Sequence, residues 1–188
     1  MIQTARKLFM DHGFHATGMA QLAKESGVAV GQIYRDFASK EDIVAAICNA
    51  DCREYMLDRQ LRQAIESDDS EGVRAWLRHF LDADDPEDDD RLFAEIVAEA
   101  TRNDRIASIF HELRGEFQGK LHAALVMLAP GDAFAERRQL IADMIMSLSL
   151  GLMYFQLLHR PDNMDALTTM LISLVDREVD ALCADARA

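Results

Sequence analysis

Cys48 and Cys52 are the pair of side chains whose type and spacing suit a metal-binding or redox site. They lie four residues apart on one predicted helix, which can place both thiols on the same face. Structural zinc sites take four ligands, and neither a third cysteine nor a histidine is near this pair. We therefore interpret the two residues as core packing, in which a free cysteine behaves as a small hydrophobic side chain.

The other reactive side chains form no catalytic pattern. The six histidines are His12, His15, His79, His111, His122 and His159, and none has the H-E-x-x-H spacing. No Ser-His-Asp arrangement, phosphate loop or dinucleotide-binding glycine motif occurs. The acidic run from Pro86 to Asp90 lacks the fixed spacing of a calcium loop and is interpreted as a solvated turn. The sequence thus predicts a protein that is not an enzyme, without catalytic residues, metal or cofactor.

The composition indicates an ordered, all-α protein. Of the 188 residues, 49% are hydrophobic and only 3 are proline, and alternating strand patterns are scarce. No uninterrupted apolar run reaches the roughly 18–20 residues of a membrane span, and Met144–Leu158 comes closest. No signal peptide opens the chain, and 3 cysteines suit a reducing compartment. We expect a cytoplasmic protein with no membrane partner.

Helical periodicity runs through most of the chain. We count nine predicted helices. The first ends near Gly13, and a long helix runs from Ser39 to about Glu66. Two long helices close the chain, over 134–159 and from Met164 to about Cys183.

The segment from Thr17 to Asp42 has the pattern of two short helices joined by a tight turn. Thr17 is predicted to cap the first helix, and Leu22 and Ala23 lie on its apolar side. Gly27 supplies the left-handed residue that ends it, and residues 31–35 form the second helix. This is the pattern of a helix-turn-helix that reads DNA.

The run GVAVGQIYRDFASKEDI resembles the DNA-binding signature of the tetracycline-repressor (TetR) family of bacterial regulators, and ARKLFMDHGFHATGMAQLA resembles its first helices. The resemblance covers about the first quarter of the chain. It implies an N-terminal three-helix DNA-binding domain over 1–46. A long helix would join this domain to a helical ligand-binding and dimerisation domain over 47–188.

The resemblance also implies roles for individual residues. Major-groove positions are matched by Ala29, Val30 and Gln32, phosphate-gripping positions by Thr17, Tyr34 and Lys40, and Arg35 belongs to the same DNA-binding set. A glutamine amide can make a bidentate contact to adenine, worth about 1–3 kcal/mol of discrimination. The alternative for Tyr34 is core packing, and for Lys40 a solvated charge.

Charge and one acidic residue modify this expectation. The net charge is −13, yet residues 1–40 carry five basic and three acidic side chains, so the acid lies outside the proposed DNA-binding segment. Asp36 would repel phosphate unless it pairs with Arg35 or faces the interior. Many relatives also carry a basic extension before the first helix, whereas this sequence begins almost inside it.

Aromatic residues of the body suit either ordinary core or a mainly apolar sensor pocket. The predicted ligand-binding residues are Trp76, Phe80, Phe93, Phe110, Phe117 and Tyr154. The last two helices carry more apolar surface than one packing face needs, which predicts a homodimer. The predicted interface consists of Leu148, Gly151, Leu152, Phe155, Leu167, Leu171 and Leu174.

Together these features predict a dimeric repressor released from a palindromic operator in double-stranded DNA by a small, mainly apolar molecule. The alternative is a small-molecule-binding or interaction protein of the same fold with weakened DNA binding.

Overall fold

The computed structural model describes residues 1–56, 58–82, 88–159 and 162–187, without the side chains of 51–55 and 88–89. These residues form ten α-helices and no strand. The helices are α1 Ile2–Ala16, α2 Met19–Ser26, α3 Val30–Asp36, α4 Lys40–Tyr55, α5 Asp58–Glu66, α6 Ser70–His79, α7 Asp88–Ala100, α8 Asp104–Leu128, α9 Ala135–His159 and α10 Met164–Arg187. A 3-10 turn, Asp132–Phe134, precedes α9. The prediction of an all-α fold is confirmed.

The chain divides into two compact units. The first unit comprises Met1–Tyr55 and Pro86–Arg114, and the second comprises Met56–Asp85 and Gly115–Ala188. α8 contributes its first turns to one unit and its remainder to the other. The predicted functional boundary after residue 46 is a separate statement about domains and stays a prediction.

The core of the first unit joins α1–α4 to α7 and the start of α8. Its buried side chains include Phe9, Leu22, Ile33, Ile43, Ile47, Leu92 and Ile106. α1 packs most extensively against α7, a helix about 80 residues further along the chain. The packing of the N-terminal helices therefore includes α7, which lies outside residues 1–46.

The core of the second unit is built around α6. Trp76, Leu77 and Phe80 lie on its apolar face and are buried with Leu121 and Leu125 of α8. Side chains of α9 and α10 complete the cluster. Among the described side chains, Cys48 is buried in the first unit and Cys183 in the second.

The predicted long helix from Ser39 to Glu66 is wrong, because the structure divides it into α4 and α5. α4 ends at Tyr55 and α5 begins at Asp58. Met56, in the turn after α4, is buried, and its carbonyl accepts a hydrogen bond from the Trp76 indole N–H at 2.7 Å. The Met56 carbonyl thus has its hydrogen-bond partner in another helix. Because α4 and α5 are separate, the described residues form ten helices, one more than the predicted nine.

Two predictions from the sequence involve residues or side chains that the structure does not describe. The predicted solvated turn of Pro86–Asp90 is wrong over 88–90, because α7 begins at Asp88, and the first two residues of that predicted turn lie outside the described part of the chain. The Cys52 side chain is likewise outside the described residues, so the pairing of Cys48 with Cys52 stays a prediction.

Candidate nucleic-acid interface

The turn between α2 and α3 has the geometry that the sequence predicts. Gly27 ends α2 in the left-handed conformation, at φ 69° and ψ 7°. Any residue with a Cβ is disfavoured there, which explains why glycine is used at this turn. Ile33 is the buried residue of α3 and fixes the helix on the core.

The opposite side of α3 faces solvent. Ala29, Gly31 and Arg35 are exposed, Val30 is 43% exposed, and Tyr34 is 53% exposed. Tyr34 is thus not the core residue that the alternative interpretation described. Four of the predicted DNA-contacting residues, Ala29, Val30, Tyr34 and Arg35, are therefore accessible to solvent.

Gln32 is held by two charged neighbours on the same face. Its Nε2 donates to both carboxylate oxygens of Asp36, at 3.1 and 3.0 Å, and its Oε1 accepts from the Arg35 guanidinium. Asp36 therefore interacts with Arg35 through Gln32. We call Asp36, Gln32 and Arg35 the α3 relay.

Thr17 occupies a different place from the predicted one. The N-cap of α2 is Gly18, without a side-chain hydrogen bond, so the predicted Thr17 cap is wrong. Thr17 is fully buried, and its hydroxyl is shared between the carbonyls of Leu8, at 3.1 Å, and Gly13, at 3.0 Å. Its side chain is not accessible to a phosphate in this conformation.

The explanation for Thr17 is a kink in α1. Gly13 adopts φ 80° and ψ 161°, which breaks the helical hydrogen-bond ladder. The Phe14 N–H then donates to Glu95 of α7 at 3.4 Å. The Phe14 carbonyl accepts from the Lys40 ammonium at 2.7 Å. Side chains of Thr17, Glu95 and Lys40 thus satisfy backbone groups that are unpaired at the kink and at the end of α1.

Lys40 is therefore engaged within the first unit. Its ammonium lies 4.3 Å from the centre of the Phe14 ring as well as on the Phe14 carbonyl. Burial lowers the pKa of Lys40, although the nearby carboxylates of Glu41 and Glu99 act in the opposite direction. A phosphate contact by Lys40 would compete with its contacts to Phe14.

A row of polar contacts ties the N-terminal helices to α7 and to the turn before α8. Glu99 is buried and pairs with Arg102 at 2.7 Å, and its other carboxylate oxygen lies 3.0 Å from Nε2 of His15. Asn103 donates to Glu41 at 3.1 Å. Asp42 pairs with Arg105. Sequence reasoning missed these residues, because the long-range partners are more than 60 positions apart and no local pattern links them.

The predicted ligand-binding residues fall into two groups. In the second unit, the rings of Trp76 and Phe117 both lie 4.6 Å from the ring of Phe80, edge to face. In the first unit, the Phe93 and Phe110 rings are 5.3 Å apart. Tyr154, also in the second unit, is half-buried, and burial raises its pKa.

A surface cleft of about 370 Å³ lies in the second unit between α5 and α8. Its lining residues are Asp58, Leu61, Arg62, Ile65, Glu116, Gly119, Lys120 and Ala123. The Lys120 ammonium lies 3.1 Å from the Asp58 carboxylate within the cleft. This lining is more charged than the mainly apolar pocket that the sequence predicts.

α9 and α10 leave a large apolar surface uncovered. Among the predicted interface residues, Phe155 is 38% exposed, Gly151 is exposed, and Leu152 is only 5% exposed. The remaining four, Leu148, Leu167, Leu171 and Leu174, are half-buried. Leu150 and Leu158 of α9, which sequence reasoning missed, and Met170 of α10 are further exposed members of this surface.

The longest apolar stretch of the sequence, Met144–Leu158, belongs to a longer apolar helix. Within the described residues, Asp132–His159 is long and apolar enough to cross a membrane by length and composition, with an 18-residue window of mean hydropathy 1.6. Serines interrupt the apolar run but lower the mean hydropathy little. Only 22% of that window is buried, which agrees with an apolar helix face that its own chain leaves exposed.

Two family models match the chain. The one described as bacterial regulatory proteins of the tetR family matches residues 1–47. The one described as the C-terminal part of BetI-type transcriptional repressors matches residues 69–184, more than half of the chain. The chain belongs to the TetR family.

Individual relatives agree with this membership. UidR, a transcriptional regulator of Escherichia coli K12, is 30% identical over 118 residues. That match covers 58% of this chain and 54% of UidR, so the chain spans about half the length of such curated relatives. The regulator SAB2452 of Staphylococcus aureus is 26% identical over 180 residues, covering 95% of this chain and 91% of that protein.

Solved structures show the same TetR-family fold. A transcriptional regulator from Pseudomonas aeruginosa PAO1 has a TM-score of 0.74 at 21% identity, covering 98% of this chain and 89% of that one. Salmonella enterica GusR has a TM-score of 0.68 at 20% identity, covering 95% and 93% of the two chains.

Proposed function

We propose that this TetR-family protein is a cytoplasmic, ligand-responsive transcriptional regulator that binds operator DNA as a homodimer and acts as a repressor. The main support is the solvent-facing side of α3. Its exposed residues include Val30, Tyr34 and Arg35, and it follows a glycine turn of helix-turn-helix geometry. A helix presented in this way fits the major groove of duplex DNA.

Dimerisation is part of the proposal because one helix-turn-helix reads only a short half-site. Two copies read a palindrome when their α3 helices are about 34–36 Å apart, one turn of DNA. The apolar surface of α9 and α10 suits a second copy of the same chain, because Phe155, Leu158 and Met170 would be covered in a symmetric interface.

The effector is proposed to be small and mainly apolar. The edge-to-face group of Trp76, Phe80 and Phe117 is the part of the second unit that best suits an aromatic or aliphatic ligand. The cleft between α5 and α8 is a separate candidate with a more charged lining. Effector binding would change the spacing of the two α3 helices and release the operator.

The decisive experiment measures binding of the protein to duplex DNA from its own promoter region by fluorescence anisotropy at several salt concentrations. Affinity should fall steeply with salt, because phosphate contacts release counterions. Arg35→Ala should weaken binding, whereas Lys7→Ala, which removes an exposed charge from α1, serves as the matched control. If Arg35→Ala leaves operator affinity at the wild-type value, the assignment of α3 fails.

A second candidate function is supported by the positions of Thr17, Asp36 and Lys40. Thr17 is buried, Lys40 is engaged by Phe14, and Asp36 places an exposed carboxylate on α3. These features would weaken phosphate binding and suit a small-molecule-binding or interaction protein of the same fold. Absence of salt-dependent binding to any promoter fragment, together with ligand-induced stabilisation, would favour this candidate.

A further inference from the structure

We infer that the α3 relay makes Arg35 the base-reading side chain of α3 and Asp36 its positioning residue, so that each operator half-site carries a guanine opposite Arg35. This inference rests on the proposed DNA-binding function. The three side chains lie at i, i+3 and i+4 on one helix and therefore share one face. The direct Asp36–Gln32 and Gln32–Arg35 contacts carry the argument.

Gln32 already uses both of its functional atoms. Reading adenine requires the amide oxygen to accept from N6 and the amide nitrogen to donate to N7. In the structure, Nε2 of Gln32 donates to Asp36 and its Oε1 accepts from Arg35. A bidentate adenine contact would therefore share both atoms with charged partners and would compete with their hydrogen bonds, which are stronger than neutral ones.

Arg35 keeps most of its donors available. A guanidinium has five N–H groups, and the contact to Gln32 uses one of its terminal nitrogens. The rest of the planar fork fits O6 and N7 of guanine, the commonest specific contact of arginine in the major groove. Because Gln32 fixes the orientation of the fork before DNA binds, less side-chain freedom is lost on binding.

Asp36 fixes the orientation of the Gln32 amide group. Its two oxygens hold the Gln32 nitrogen, so the Gln32 oxygen is left to face Arg35. A carboxylate on a DNA-binding helix also repels phosphate, which lowers affinity for every sequence. Asp36 should therefore decrease non-specific affinity while it increases the preference for guanine.

The test selects binding sequences for the full-length protein from a pool of DNA duplexes with a randomised central segment. The wild-type protein should select a guanine at one position of each half-site, preferred by about tenfold over the other bases. Arg35→Ala should abolish this preference. Asp36→Asn should reduce it several-fold and should raise affinity for a fixed random duplex.

Gln32→Ala should also reduce the guanine preference, because it removes the middle residue of the relay. It should not abolish a preference for adenine at any position. The Asp36→Asn, Gln32→Ala double variant should lose little more than either single variant, since members of one network are not additive. Glu25→Gln is the matched control, because it removes one exposed negative charge from α2 without touching the relay. It should raise general affinity and leave base preference unchanged.

Three results would overturn the inference and leave the proposed function intact. One is a preference for adenine that Gln32→Ala abolishes and Arg35→Ala does not. Another is an Arg35→Ala variant that keeps the wild-type sequence profile but loses about one unit of salt slope, the signature of a phosphate contact. The third is an Asp36→Asn variant with the base preference of the wild-type protein. A wild-type protein that selects no duplex would overturn the proposed function and this inference together.

Discussion

The Lys40 ammonium is bound to the residue that follows the kink in α1, with its nitrogen 2.7 Å from the Phe14 carbonyl oxygen and 4.3 Å from the centre of the Phe14 ring. It satisfies a backbone acceptor that the helix itself no longer pairs. A lysine at the start of α4 therefore stabilises the end of α1, and a contact to DNA would compete with this role.

Lys40→Ala should lower the free energy of unfolding by about 1.5 kcal/mol, the low end for a hydrogen bond to a charged group, since Lys40 is half-buried. Urea denaturation measures the change, and Lys24→Ala on the exposed side of α2 should stay within about 0.5 kcal/mol of wild type. If Lys40 leaves Phe14 to bind phosphate, Lys40→Ala also lowers the salt slope of DNA binding by about one. A lower slope with unchanged stability would contradict the anchoring role.

Gly13→Ala should destabilise the first unit by about 1–3 kcal/mol, because φ of 80° is unfavourable for a residue with a Cβ. The added carbon would also approach the Glu95 carboxylate to 3.2 Å. Gly115→Ala is the matched control: it lies inside α8 with open space around it and should stabilise the protein by about 0.5–1 kcal/mol. Thermal unfolding tests whether Gly13→Ala lowers and Gly115→Ala raises the stability. Wild-type stability of Gly13→Ala would show that the fold does not require the kink.

The contribution of Glu41 should depend on pH. Burial acts to raise its pKa, but hydrogen bonds from its own backbone, Asn103 and Ser39 prevail and lower it below the usual 4.5. The ionised form is therefore stabilised in the folded state. The contribution is complete above about pH 4.5 and is lost as pH falls through the lower folded-state pKa.

Glu41→Gln should accordingly be less stable than wild type at pH 6, and the difference should shrink towards zero as the pH is lowered to about 3. Urea denaturation at a series of pH values measures it. Glu25→Gln, an exposed carboxylate on α2, provides the control and should show little difference at any pH. A gap between Glu41→Gln and wild type that stays constant with pH would contradict the prediction.

Met170→Asp should convert a dimer into a soluble monomer, because Met170 is 72% exposed in a single chain and a carboxylate there would be buried by a second copy. Ala184→Asp, at an exposed position near the end of the same helix, should leave the assembly unchanged. Leu152→Asp should unfold the protomer instead, since Leu152 is already buried within it. Sedimentation at micromolar concentration separates these results, and a monomeric wild-type protein would exclude the proposed interface.

Trp76→Phe should lower the free energy of unfolding of the second unit by about 1–3 kcal/mol. It keeps an aromatic ring beside Phe80 but leaves the buried Met56 carbonyl without its donor. Phe117→Leu tests ring packing alone in the same group and serves as the comparison in urea denaturation. Wild-type stability of Trp76→Phe would mean that the Trp76 hydrogen bond does not cause the break after α4.

Local signals predicted much of this fold. Gly27 ends α2 as expected, because a left-handed glycine is specified by its own residue type. The bounds of α9 and α10 follow from uninterrupted helical periodicity and agree closely with prediction. The family resemblance implied that Val30 and Tyr34 contact DNA, and both side chains are exposed in the structure.

Long-range contacts explain what the sequence could not predict. The Trp76 indole that pairs with the Met56 carbonyl lies 20 residues further along the chain, while the apolar spacing continues across the break after α4. Thr17 has the residue type of a cap, yet its hydroxyl is used by the kink at Gly13. The Glu95 contact to Phe14 spans 81 positions, and helical periodicity contains no information about such partners.

The buried thiols of Cys48 and Cys183 give each compact unit its own chemical probe of local opening. Cys48 lies in the core of the first unit and Cys183 in that of the second, so neither reacts with an alkylating reagent until its surroundings open. In a background with Cys52 replaced by serine, the alkylation rates of the two positions would be read separately by mass spectrometry. Equal rates would identify a single cooperative opening of the chain, whereas unequal rates would order the two units by the lifetime of their closed states.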